Sequence, residues 1–204
     1  INFYRVVQND FVSLEKEIRI SLHSRDLFRK ASVVNANPDM FNEVKRAWAI
    51  WMLSAQSFAA KLDGPWGYDI SESTTSKKID NKRTGFTEEY AMRLQRVQIE
   101  CADAIYIIKS RDSEHSFFYC DPPYFNSNCG HYNGYTEDDF ESLLKTLSGI
   151  QGKFLLSSYP SDVLSRYIDR FGWHSRGVEQ NVTVNAKSGY QKKKVEVLTA
   201  NYPI

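Results

Sequence analysis

The feature that most constrains this chain is an apolar run, Ser116-Phe117-Phe118-Tyr119-Cys120, that stops at Asp121-Pro122-Pro123-Tyr124. Aromatic residues bounded by a proline turn predict a short strand. Two consecutive prolines cannot continue a central strand, so the chain must leave the sheet there. The acid and the tyrosine are thereby set at the carboxyl edge of a parallel strand, where open α/β sheets hold their ligands. A carboxylate and a proline carbonyl can together accept both hydrogens of an exocyclic amine. A tyrosine beside them can stack on the planar ring that carries it. A plain tight turn with a packed tyrosine is the structural alternative.

Composition narrows the classes. The chain has 204 residues, 42% of them hydrophobic and 14% aromatic, enough for one domain with a core, or for a core plus an insert. A net charge of +1 argues against a broad basic coat for nucleic acid. No run of 18 apolar residues and no signal-like opening exist, so a soluble, cytoplasmic protein with no membrane partner is expected. Cys101, Cys120 and Cys129 are odd in number and lack a CxxC spacing, so free thiols are expected. Cys129 and His131 have no second ligand pair, and no metal is expected.

Periodicity predicts the elements. Phe3, Val6, Val7, Phe11, Leu14 and Ile18 recur at helical spacing and predict one helix over 1–20. A second helix is predicted over 39–60, with Asp39 at its start and Phe41, Val44, Trp48, Trp51, Met52, Ala55 and Phe58 on one face. From Asp63 to Arg83 the pattern breaks, which predicts a loop or hairpin, either merely solvated or contacting DNA through Lys77, Lys78, Lys82 and Arg83. Glu88 to Arg96 reads as a helix, Val97 to Cys101 as a strand and Ile105 to Lys109 as a helix. Asn126 to Tyr135 is a polar loop. Thr136 and Asp139 have capping-box spacing ahead of a stripe of Phe140, Leu143, Leu144 and Leu147. Gly152 to Ser157 reads as a buried strand, Ser161 to Phe171 as a helix, and 178–185 with 193–201 as a terminal hairpin around Lys187 to Tyr190. Alternation of this kind predicts an α/β fold.

Asp121 to Tyr124 resembles the catalytic motif of amino-group methyltransferases that act on adenine N6 in DNA. Most of the chain is similar to the Dam-type (alpha-group) family. Ile1 to Asp10 resembles the helix after that family's second strand, Val97 to Ala104 its strand-acid step, Lys153 to Tyr159 its next strand, and the last hairpin its antiparallel end. The resemblance implies an S-adenosylmethionine-dependent methyltransferase (Rossmann-like) sheet from 1–21 and 93–204, with a mainly helical target-recognition insert at 22–92. It implies Asp121, Pro122, Pro123 and Tyr124 as the catalytic turn, and Asp103, Ala104 and Asp121 as cofactor contacts. Asp103 by itself reads first as a helix cap, and its place at the end of the preceding strand favours the cofactor contact. Double-stranded DNA is the implied partner, with Lys77, Lys78, Lys82 and Arg83 on phosphates. Tyr132 or Tyr135 would close over the pocket, or be ordinary loop tyrosines. The family's FxGxG loop is not in this sequence. The expectation is an N-terminally incomplete sheet, completed by an upstream segment or a second subunit, in a bacterial or phage-encoded enzyme of a restriction-modification system, a phage or a housekeeping pathway. Two alternatives stay open: a catalytically silent DNA-binding fragment, and a methyltransferase for an RNA or protein amine.

Overall fold

The computed structural model describes residues 1–70, 74–126, 134–181 and 193–204. Cys129, His131, Tyr132 and the turn at Lys187 to Tyr190 lie outside the described residues. The chain divides into two compact units, Ile1–Cys101 and Ala102–Ile204.

The first unit is helical. The predicted first helix is two, α1 (Asn2–Asn9) and α2 (Phe11–Arg19), broken at Asp10, whose φ of −146° and ψ of 52° are not helical. The apolar spacing carries across the break, so periodicity alone could not show it. A helix absent from the sequence-based expectation, α3 (Arg25–Ala36), is capped by the Ser24 side chain and buries Phe28, Ala31 and Val34. The strong predicted helix is α4 (Glu43–Gln56), capped by Asn42 rather than started by Asp39, which lies in a short 3-10 turn. Trp48, Trp51 and Met52 are buried as expected, whereas Phe58 falls beyond the helix and is exposed.

The predicted loop at 74–84 is instead α5 (Thr74–Thr84), of which only Ile79 is buried. The Asp69 carboxylate accepts from the Thr75 N–H and from the Thr74 and Thr75 hydroxyls. Those bonds, the Thr75 hydroxyl foremost, hold its carboxyl below the usual value. A short α6 (Glu89–Leu94) follows. Leu14, Ile18, Phe28, Trp48 and Met52 belong to a single core, so residues on both sides of position 21 share it. Val97 to Cys101 form no strand. A strand exists only by exchanging backbone hydrogen bonds with a neighbour, and no described strand pairs there.

The second unit is α/β. It runs α7 (Ala104–Arg111), β1 (Phe117–Cys120), α8 (Glu137–Leu147), β2 (Lys153–Ser158), α9 (Asp162–Phe171), β3 (His174–Asn181) and β4 (Lys193–Ala200). The described strands make a mixed sheet in the order β1-β2-β4-β3. β1 and β2 are parallel, with Cys120 beside Leu156, and the remaining pairs are antiparallel. The capping box at Thr136 and Asp139 is present, and Phe140, Leu143, Leu144 and Leu147 are all buried. They pack with Phe154, Leu156, Val163 and Trp173 into this unit's core. Among the described residues no helix is long and apolar enough to cross a membrane.

Candidate active site

The parallel ladder ends at Cys120 opposite Leu156, so Asp121 is the first residue past the sheet edge and Ser157 stands one step further along β2. The two prolines turn the chain and bring Tyr124 back over β2. Its hydroxyl lies 2.9 Å from the Ser157 hydroxyl and donates to Asp121 Oδ1 at 3.2 Å. With that hydrogen used, Ser157 is the donor to the phenol oxygen, and the three groups form a chain from Ser157 through Tyr124 to Asp121. Ser157 is 5% exposed, which fixes the far end of the chain. Burial first, then the Asp121 and Glu196 carboxylates, push the Tyr124 phenol above its ordinary value, against a lowering effect of the Ser157 bond. The Tyr124 and Tyr159 rings meet at 4.4 Å and 54°. After the tyrosine, Asn126 Nδ2 donates to the Pro160 carbonyl and ties the turn to the chain leaving β2.

A cavity of about 830 Å³ opens on the turn. That lies within the range of about 300–1,000 Å³ typical of small-ligand sites. Asp121, Pro122 and Pro123 line it together with Asp103 and Ala104. The two predicted cofactor carboxylates therefore share one cavity, with Ile108, Phe118 and Leu143 among its apolar walls. Asp103 also caps α7, its Oδ1 accepting from the Tyr106 N–H at 2.8 Å. Asp103 is thus a helix cap that also lines the cavity. Tyr124 is not among the lining residues, and it reaches the cavity wall through its hydrogen bond to Asp121.

Tyr135 lines the same cavity, and burial, with help from Asp139 and Cys120, pushes its phenol up to about 12. Burial pushes the Cys120 thiol up to about 11. Both are neutral near pH 7, which suits an apolar ring surface. Asp103, Asp121 and Asp139 line the cavity together with its apolar walls, a lining that suits a ligand with both a flat apolar part and a cationic centre.

The basic cluster is split by the structure. Lys82 Nζ donates to the Ser54 carbonyl, and Arg83 donates to the Ser21 carbonyl and Asp80. Partial burial, with some repulsion from Lys78, holds the Lys82 ammonium below its usual value. Lys77 and Lys78 are exposed on α5 and have no partner among the described residues. Ser157 and Tyr159 carry no sequence motif that marks them as site residues. The usable signal is the register of two parallel strands, which sets the residues after Leu156 beside those after Cys120.

A mixed α/β unit with an acid-proline-proline-tyrosine turn at a strand edge, beside a ligand-sized cavity, is the setting of a small-ligand site. The particular family follows from comparison. The family model of the D12 class N6 adenine-specific DNA methyltransferases matches residues 1–182, and the chain belongs to that family. No curated protein matches the chain significantly. As a member, it is an S-adenosylmethionine-dependent methyltransferase whose substrate is adenine in DNA.

Proposed function

We propose that this chain is a Dam-type enzyme that methylates the N6 amine of an adenine turned out of double-stranded DNA, with Asp121 as the group that holds that amine. The observation that carries the reading is that Asp121 both lines the cavity and accepts from the hydroxyl of Tyr124, whose ring packs on Tyr159. The sheet is read as the partial, Rossmann-like sheet of that family, and residues 22–92 as its target-recognition region.

The cavity would take S-adenosylmethionine, with Asp103 and the Ala104 backbone at the adenine end and Asp121 near the sulfonium. When bound, that cofactor supplies an electrophilic methyl group. Asp121 Oδ1 is occupied by Tyr124, so Oδ2 accepts one N6 hydrogen and the Pro122 carbonyl accepts the other. Holding both hydrogens turns the nitrogen lone pair out of the ring plane and toward the cavity. The fixed carboxylate also stabilises the positive charge that grows on N6, and the surplus proton leaves along the same hydrogen bond. Catalysis of this kind comes from positioning and electrostatics. The base reaches Asp121 only outside the duplex stack, and the Tyr124 ring is its platform, a contact of about 1–3 kcal/mol.

Replacing Asp121 with Ala tests this reading. Methyl transfer should fall by about 100-fold or more, with DNA affinity kept within about threefold because phosphate contacts dominate it. Methylation near the wild-type rate in the Asp121→Ala protein would remove Asp121 from the reaction.

A further inference from the structure

The first unit holds a second constellation that methyl transfer does not use. Gln56, 1% exposed at the end of α4, has a satisfied amide. Its Oε1 accepts from the Ser24 N–H and from the Trp66 indole N–H, each at 3.2 Å, and its Nε2 donates to the Leu22 carbonyl at 2.8 Å. One buried side chain thus pins both the start of α3 and the Trp66 loop. Gly67 lets the loop come this close, since a Cβ there would lie 3.2 Å from the Gln56 carbonyl oxygen. On the pinned loop the Trp66 and Tyr68 rings stack at 5.6 Å and 17°. The Arg25 guanidinium lies 4.9 Å from the Trp66 ring centre and 5.7 Å from that of Tyr68. Tyr68 is 57% exposed, and Arg25 is exposed as well.

The placement of Arg25 is not explained by helix stability. It is the first residue of α3, where the helix dipole disfavours a cation. A guanidinium held against rings keeps its five N–H donors in its own plane. None of these donors has an acceptor among the described residues. The result is an exposed, oriented fork whose ordering cost is already met by the stack.

We propose that Arg25 is a DNA-contacting residue, held by Trp66 and Tyr68 and grasping a pair of acceptor atoms on the substrate. Two phosphate oxygens or the O6 and N7 of a guanine offer that pair. This rests on the assignment of DNA as substrate. The polyanionic, guanine-bearing duplex is also the partner whose chemistry matches a planar cationic fork.

The test uses the full chain and a pool of adenine-containing duplexes with randomised flanks, read as affinity across a salt series and as the sequence around each methylated adenine. Arg25→Ala should lower affinity or site preference about tenfold. Arg25→Lys should not restore it, because a point charge lacks the fork. Tyr68→Phe should match wild type and Tyr68→Ala should lose part of the effect. A uniform loss with a salt slope shallower by about one unit identifies phosphate, and a loss confined to one position of the site identifies guanine. A folded Arg25→Ala protein with wild-type affinity, slope and site preference overturns the proposal. Wild-type protein that neither binds nor methylates the pool overturns the assignment of DNA itself, a result distinct from selective failure of the variant.

Discussion

A phenol hydroxyl bonded to a carboxylate changes what a tyrosine at a strand end contributes. From the sequence, Tyr124 is a stacking surface and its hydroxyl is incidental, so Tyr124→Phe should cost little and Tyr124→Ala much. The geometry revises the first half of that expectation. The hydroxyl joins Ser157 to Asp121 and occupies Oδ1, which in the proposed mechanism leaves Oδ2 for the amine. Tyr124→Phe should lower methyl transfer about three- to tenfold, the scale of one hydrogen bond of about 1 kcal/mol, with Tyr124→Ala lower still. Ser157→Ala should resemble Tyr124→Phe. Because the phenol is raised above its ordinary value, it remains a donor as pH rises. The gap between wild type and Tyr124→Phe should therefore persist from about pH 7 to 9, below the ordinary tyrosine value of about 10. Steady-state rates across that range check this. Equal activity of Tyr124→Phe and wild type would leave stacking as the tyrosine's whole role.

The start of α7 joins two duties in one carboxylate, and they can be separated. Asp103 caps the helix and lines the cavity. Serine caps a helix about as well as aspartate, whereas alanine does not. Asp103→Ser should therefore keep the melting temperature and weaken S-adenosylmethionine binding about tenfold by calorimetric titration. Asp103→Ala should lose the same affinity and about 1 kcal/mol of stability besides. Wild-type cofactor affinity in Asp103→Ser would return Asp103 to a plain cap.

Among the elements, those with dense signals were legible in the sequence. The capping box with its four-residue apolar stripe marked α8, and the aromatic run stopped by two prolines marked β1 and the site at its end. Helix α5 was illegible because it buries only Ile79 and takes its first-turn bonds from Asp69, outside the helix. The break at Asp10 hid inside an unbroken apolar rhythm. Val97 to Cys101 has strand composition, but composition supplies no hydrogen-bonding neighbour. Within the site, Asp121 and Asp103 could be named from sequence, while Ser157 became visible only through the register of β1 and β2.

At the scale of the whole molecule, charge sets how DNA is held. A net charge of +1 provides almost no long-range attraction for a polyanion. Affinity then depends on a few local cations, and each phosphate neutralised contributes about −0.9 to the slope of log K against log salt. On α5, Lys82 and Arg83 hold backbone carbonyls of their own unit. Lys77, Lys78 and Arg25 are exposed and have no hydrogen-bond partner among the described residues. With Arg25 on a phosphate, three such contacts give an expected slope of about −3, and with Arg25 on a guanine the two lysines give about −2, either one far shallower than that of a protein with a basic coat. Fluorescence titrations between about 50 and 200 mM salt would measure it, over which the affinity should fall less than about 100-fold. Lys77→Ala with Lys78→Ala should make the slope shallower by about two units, whereas Lys82→Ala should act mainly on stability. A slope of about −7 or steeper would mean that DNA is gripped by many cations beyond these three, and the low net charge would then conceal a binding face assembled from both signs of charge.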